Sequence, residues 1–148
     1  MQQVIGGANI DPSAEPIRQA CAVPIRRMGE QLQVCLITSL KKRRWILPKG
    51  IIDPGETCNE TALKEALEEA GLHGRIIGEP LGVYEDFKWG RPLLVSVLMM
   101  AVTHCENEWN EADVRDRCWV SFDRALQMIS RPEIRGFVSL AAEKVLAD

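Results

Sequence analysis

A chain of 148 residues, 46% hydrophobic and 26% charged, is long enough for one domain with its own core, and no apolar run reaches the roughly 18 residues that a membrane span needs. A net charge of −3 is too mild to imply general nucleic-acid binding, and five cysteines without a C-x-x-C pair, beside two histidines, argue against a zinc site. The odd cysteine count and the absence of a basic-then-apolar start point to reduced thiols in the cytoplasm rather than to a secreted, disulfide-stapled fold.

Residues 1–16 are small, polar and proline-containing and read as a flexible tail, which leaves 17–148 as a single domain. The runs from Ile17 to Arg27 and from Gln31 to Leu40 are strand-like, and Met28-Gly29-Glu30 between them predicts a hairpin. Pro24 inside the first run argues for an edge or a bulge at that point. Lys41-Lys42-Arg43-Arg44 is ordinarily a solvated turn, but here it precedes a glycine loop, so some of these cations are placed to reach an anionic substrate. Lys49, next to Gly50, is the best placed of them. Trp45 reads as a core anchor ahead of a base-stacking residue.

The stretch from Gly50 to Leu72 organises the rest. Thr57 with Glu60 makes a capping box and Gly71 a left-handed stop, so a helix runs from Cys58 to Ala70. Helical spacing puts Ala62, Leu63, Ala66, Leu67 and Ala70 on one side and gathers Glu65, Glu68 and Glu69 on another. Like charges at neighbouring helical positions cost a few tenths of a kcal/mol per pair, and a hard divalent cation such as Mg²⁺ offsets that cost with oxygen ligands. The plain alternative is a solvated acidic helix end. Gly50 lets backbone approach whatever the carboxylates hold, and Pro54-Gly55 marks a turn.

After the helix, His73 to Phe87 predicts a strand with a glycine-proline irregularity, and Arg91 to Thr103 predicts a buried central strand. The turn between them carries Lys88, Trp89 and Arg91, either as substrate contacts or as a polar tip. His104 to Asp116 reads as an acidic loop, and Arg117 to Ser121 as a short strand. Its last residue, Ser121, is suited to cap a helix over Phe122 to Ile129. Pro132 opens a last helix whose Ile134, Phe137, Val138, Ala141 and Val145 share a face that packs on the body. Mixed strands with helices on two faces predict an α/β sandwich.

The spacing of Gly50, Glu56, Lys64-Glu65, Glu68-Glu69 and Gly71-Leu72 closely resembles the signature of the Nudix hydrolases, G-x5-E-x7-R-E-U-x-E-E-x-G-U with U a bulky aliphatic residue. Two positions depart from it: Lys64 replaces an arginine, losing the planar fork that holds a carboxylate, and Ala66 replaces a larger aliphatic residue. The resemblance implies a Nudix-type α/β/α sandwich with a mixed sheet between helices. It implies Mg²⁺ (or Mn²⁺) held by Glu65, Glu68, Glu69 and the Gly50 carbonyl, with one glutamate doubling as base. It also implies that Lys64 orients a carboxylate and that Glu56 supports the loop or the metal shell, and it leaves open whether Glu108 or Glu111 joins the metal site or both are simply solvated.

Downstream, RWILPKG, GVYED and RCWVSFDRAL resemble the diadenosine and diphosphoinositol polyphosphate hydrolase branch. That likeness implies hydrolysis of a phosphoanhydride in a small phosphorylated substrate, with a dinucleoside polyphosphate ahead of a diphosphoinositol polyphosphate. Arg18, Arg43, Arg44, Lys49 and Arg117 are the candidate phosphate contacts, because several phosphates require several cations. No nucleic acid and no membrane are expected as partners, and the protein is expected to act as a monomer or homodimer. The other readings are a non-catalytic nucleotide sensor, favoured by Lys64 and Ala66, and RNA 5′-end hydrolysis, opposed by the net charge.

Overall fold

Strand β3 (Ile17–Met28) is buried without interruption from Gln19 to Ile25, the pattern of a strand covered on both faces. In the computed structural model, which describes residues 3–5, 8–10 and 15–147, it sits at the centre of the sheet. Two short strands precede it, β1 (Gln3–Ile5) and β2 (Ala8–Ile10), which pair antiparallel. The rest of the tail expected over residues 1–16 lies largely outside the described residues.

A turn at Gly29 returns β3 into β4 (Gln31–Thr38), forming the expected hairpin. β5 (Trp45–Ile46) pairs with β4, and β6 (Lys49–Ile51) with β3. Beyond the helix α1 (Cys58–Ala70) come β7 (Leu72–Lys88) and β8 (Arg91–Cys105), a long antiparallel pair, and then β9 (Arg117–Ser121), which adds to β4. β8 runs parallel to β3, giving a seven-stranded mixed sheet with the path β5-β4-β3-β8-β7. The irregularity expected in β7 appears as a register shift between Ile77 and Gly82.

Pro24 does not mark an edge. It lies opposite Met100 of β8, where β3 has left β6 at Cys21 and does not meet β4 until Ile25. A residue without an N–H is tolerated in that gap.

Helix α1 covers one face of the sheet; α2 (Phe122–Met128) and α3 (Pro132–Leu146) cover the other, so the layers are α/β/α. Ser121 caps α2 through its hydroxyl, and Ile134, Val138 and Ala141 bury the expected face of α3. On α1, Ala62, Ala66 and Ala70 are fully buried in one cluster with Ala20 and Ala22 of β3. Small residues on both sides let the helix lie close to the sheet, which is the role Ala66 takes in place of a larger aliphatic residue. Leu67 departs from expectation: it is 40% exposed, and Thr61 is buried instead. Position 67 lies about 140° around the helix from position 62, so the two do not share a face. Among the described residues no helix is long and apolar enough to cross a membrane.

Candidate active site

The acidic helix is held rigidly at both ends. At its start the Thr57 hydroxyl accepts the Glu60 N–H at 3.1 Å and the Glu60 carboxylate accepts the Thr57 N–H at 3.0 Å, completing the capping box. Lys64 donates to both oxygens of Glu56 at 2.9 Å and to Asp53 at 3.1 Å, and Thr61 adds a hydroxyl donor to Glu56. The carboxylate that Lys64 orients is therefore Glu56, and the pair ties the loop before α1 to the helix. That bond holds the Glu56 carboxyl below its usual range and raises the Lys64 ammonium above its own.

At the other end Gly71 takes φ 69°, a left-handed geometry that favours glycine. A Cβ there would lie 2.8 Å from the Trp109 Cβ. Trp109 donates its indole N–H to the Glu69 carbonyl at 2.9 Å. Arg117 stacks on the Trp109 ring at 4.0 Å and donates to the carbonyls of Ala70 and Glu106. Its guanidinium thus satisfies carbonyls that the helix end leaves open.

Three glutamates project from this braced helix. Glu65 lies against β6, and a Cβ on Gly50 would stand 2.3 Å from its Cδ, so only glycine admits the carboxylate there. Burial, reinforced by the neighbouring Glu68, pushes the Glu65 pKa up to about 7. Glu69 is buried; its carboxylate accepts the Lys49 backbone N–H at 3.0 Å and an Arg115 N–H at 3.1 Å. Burial outweighs both partners and also raises its pKa to about 7. Glu68 is half-buried, and its carboxylate accepts no hydrogen bond from any described residue.

This donor set suits a hard cation. It is all oxygen, and two of its members hold protons near neutrality unless a positive charge relieves them. Glu65, Glu68 and the Gly50 carbonyl are the groups best placed to hold such an ion. Glu69 is already engaged by Arg115, and among the described residues no three acidic, histidine or cysteine side chains form a ready-made cage. As a first test, Gly50→Ala is expected to leave the fold intact, because the displaced atoms end a flexible side chain, while turnover falls about 100-fold as the Glu65 carboxylate moves. Wild-type turnover in that variant would dissociate Glu65 from the chemistry.

Beside Glu69 opens a cavity of about 480 Å³. Lys41, Lys42, Arg44, Lys49, Lys88, Arg115 and Arg131 line it, against Glu69 as its one acidic wall residue. Arg44 and Lys49 of the expected phosphate contacts therefore reach the cavity, and burial holds the Lys49 ammonium below the ordinary lysine range. The other three do not line it. Arg43 is drawn onto Asp116 and the Val114 carbonyl, Arg117 braces α1, and Arg18 is exposed on the neighbouring strand position. Lys88 lines the cavity, whereas Trp89 is exposed and Arg91 bonds the Glu15 carbonyl. Trp45 packs on the core, as expected, and also lines the cavity. In the acidic loop Glu108 is exposed, while Glu111 accepts from Arg115 at 2.8 Å and donates its N–H to the Glu68 carbonyl. Glu111 is thus the acid this loop brings beside the helix.

Sequence reading missed Arg115, Arg131 and Gln19. Arg115, inside an acidic loop, carries no local mark of burial, yet it is 8% exposed and spans Glu69, Glu111 and the Thr38 carbonyl. Arg131 lines the cavity and pairs with Asp86 at 2.9 Å.

A family model described as the NUDIX domain matches residues 16–140. Nudix hydrolase 4 of Arabidopsis thaliana is 32% identical over 124 residues, covering 79% of this chain and 58% of the plant protein. Diphosphoinositol polyphosphate phosphohydrolase 3-alpha of Mus musculus is 30% identical over 122 residues, covering 80% of this chain and 72% of its own. The chain spans little more than half the length of several plant relatives, 58%, 55% and 54%. Among solved structures, a C. elegans Ap4A hydrolase aligns with a TM-score of 0.70 at 18% identity, over 88% of this chain and 99% of that one. The NUDIX domain of Shewanella oneidensis NrtR, complexed with ADP ribose, gives 0.73 at 21%, over 91% and 93%. At those identities the two structures speak for the fold alone. The sandwich matches theirs, the family model spans most of the chain, and the glycine-glutamate spacing is carried on one braced helix; the chain belongs to the Nudix hydrolase family.

Proposed function

We propose that this domain is a Mg²⁺-dependent pyrophosphohydrolase that cleaves a phosphoanhydride bond in a polyphosphate substrate, with a dinucleoside polyphosphate as the preferred class. The observation that carries the reading is that Glu69 belongs to both halves of the site, lying on the carboxylate helix and in the wall of a cavity whose other charged lining residues are all cations. Several fixed cations suit a chain of phosphates, and carboxylates alone would repel it. A bound Mg²⁺ or Mn²⁺ would neutralise the leaving phosphate and acidify a water. Glu65, Glu68 and the Gly50 carbonyl would hold the ion, with Glu69 and Arg115 fixing the helix against the loop. One of these glutamates would also take the proton of the attacking water. Lys49, Lys88 and Arg131, all in the cavity lining, would hold phosphate oxygens. All five cysteines are unpaired, which supports a reducing, cytoplasmic setting.

The mouse relative supports a second reading, hydrolysis of diphosphoinositol polyphosphates. A nucleotide-sensing domain without turnover is a third, supported by the engagement of Glu69 with Arg115. Purified protein with Mg²⁺ or Mn²⁺ is to be offered diadenosine tetraphosphate, diphosphoinositol phosphates, ADP-ribose, NADH, 8-oxo-dGTP and 5′-triphosphate RNA. Products from diadenosine tetraphosphate ahead of the rest are expected. Turnover of diphosphoinositol phosphates alone would move the assignment to the second reading, and tight binding in calorimetry without any product would move it to the third.

A further inference from the structure

A second cavity, of about 430 Å³, shares no lining residue with the first. It lies over the far end of β3: Arg27 is eight residues on from Gln19, which borders the catalytic cavity, and at the strand rise that is roughly 26 Å. The two are separate sites.

Sheet register builds the floor of this hollow. Ala101 of β8 lies opposite Ile25 of β3 on one side and opposite Arg75 of β7 on the other, so the three share one face. Alternation puts Arg27 on that face too, two residues beyond Ile25. Because Ala101 is small, a gap is left between the two arginines, and Leu32, Ile77 and Val145 of the last turn of α3 complete its apolar walls. Both arginines are exposed, and neither makes an ion pair or a side-chain hydrogen bond with a described residue. Arg26 also lines the hollow, but its Nε donates to Gln33 and its guanidinium lies over Trp119 at 4.1 Å. The uncommitted cations are Arg27 and Arg75.

Like charges on one sheet face oppose each other unless an anion lies between them, and a chain of net charge −3 has acids to spare for that purpose. Among the described residues no acid lines this hollow. The two arginines start two strand spacings apart, roughly 10 Å, and two residues apart along the strands, roughly 7 Å. A ligand with several anionic groups meets both guanidinium forks where they stand, whereas a single compact anion would draw the two like charges together. Arginine's planar fork takes phosphate oxygens two at a time, and linked phosphates repeat that pattern along a chain. We propose that this hollow is a second anion site, apart from the catalytic cavity, for a small molecule bearing two or more linked phosphates.

The probe is inorganic tripolyphosphate, added to the full chain without divalent metal at about 0.15 M salt and followed by backbone amide NMR shifts. Saturable shifts are expected at Arg27, Arg75, Ala101 and Val145, with a Kd distinct from that of any shifts at Trp45 and Lys49. The double variant Arg27→Gln, Arg75→Gln removes both charges at exposed positions, so the fold is expected to hold and the spectrum elsewhere to stay unchanged. Its affinity at this site is expected to fall by about tenfold or more, while the Kd at the catalytic cavity is unchanged. Shifts around Arg27 and Arg75 that never saturate, or that keep their Kd in the double variant, would overturn the site. Citrate binding there as tightly as tripolyphosphate would overturn the assignment to phosphates.

Discussion

Glu68→Gln is expected to lower Mg²⁺-dependent turnover by on the order of 10³-fold while leaving stability within about 0.5 kcal/mol of wild type. The two halves of that expectation come from different observations. Glu68 stands one helical turn from Glu65, whose carboxylate meets Gly50, and helical neighbours at that spacing can share a cation. Its carboxylate accepts no hydrogen bond from any described residue, so removing its charge breaks no contact within the fold. Steady-state kinetics over a range of Mg²⁺ concentrations, paired with thermal unfolding, measures both. Turnover near the wild-type rate would take Glu68 out of the metal site; a parallel collapse of stability would make its role structural. The same experiment on Glu69 is less clean. From the helical pattern alone Glu69→Gln looks neutral to the fold, but Glu69 is the buried partner of Arg115, and an amide there leaves a guanidinium short of one charge.

Arg115→Ala is expected to cost about 2–4 kcal/mol at pH 8 and distinctly less near pH 5.5. The loss at high pH comes from stranding the Glu69 carboxylate in a buried site, together with the bonds to Glu111 and the Thr38 carbonyl. The sign of the pH dependence follows from the direction of the shift. Burial raises the Glu69 pKa from 4.5 in the open chain to about 7 in the fold, so the folded protein holds the extra proton in that window. Its contribution to stability is present below pH 4.5 and declines as pH rises towards 7. Without Arg115 the folded pKa rises further, and the decline continues to higher pH. Around pH 5.5 Glu69 is protonated in both proteins, and the missing guanidinium matters less. Urea unfolding of both proteins at the two pH values checks this. An equal loss at each pH would show that Arg115 acts through packing and its neutral hydrogen bonds rather than through the charge of Glu69.

The sequence by itself determined the parts of this protein that depend on neighbours along the chain. Thr57 and Glu60 begin α1, Gly71 ends it, and the observed helix runs over the residues their spacing implies, because caps act within a single turn. Apolar patterning found β3, β4, β7, β8 and β9 but not the short β1, β2, β5 and β6, and the face of Ile134, Val138 and Ala141 found α3. The glycine-glutamate spacing identified the family for the same reason: loop and helix are contiguous.

Tertiary structure alone decided which charges meet. Arg43 and Arg44 are adjacent in sequence, yet the fold turns Arg43 onto Asp116 and Arg44 into the cavity. Pro24 reads as an edge residue until β6 and β4 are seen to share one side of β3 with a gap between them. Arg115 and Glu69 are 46 positions apart, and nothing in either segment announces the other. A buried ion pair or an orphaned amide such as Gln19 is a property of the enclosure made when distant strands and loops close together, and that enclosure has no trace in local pattern.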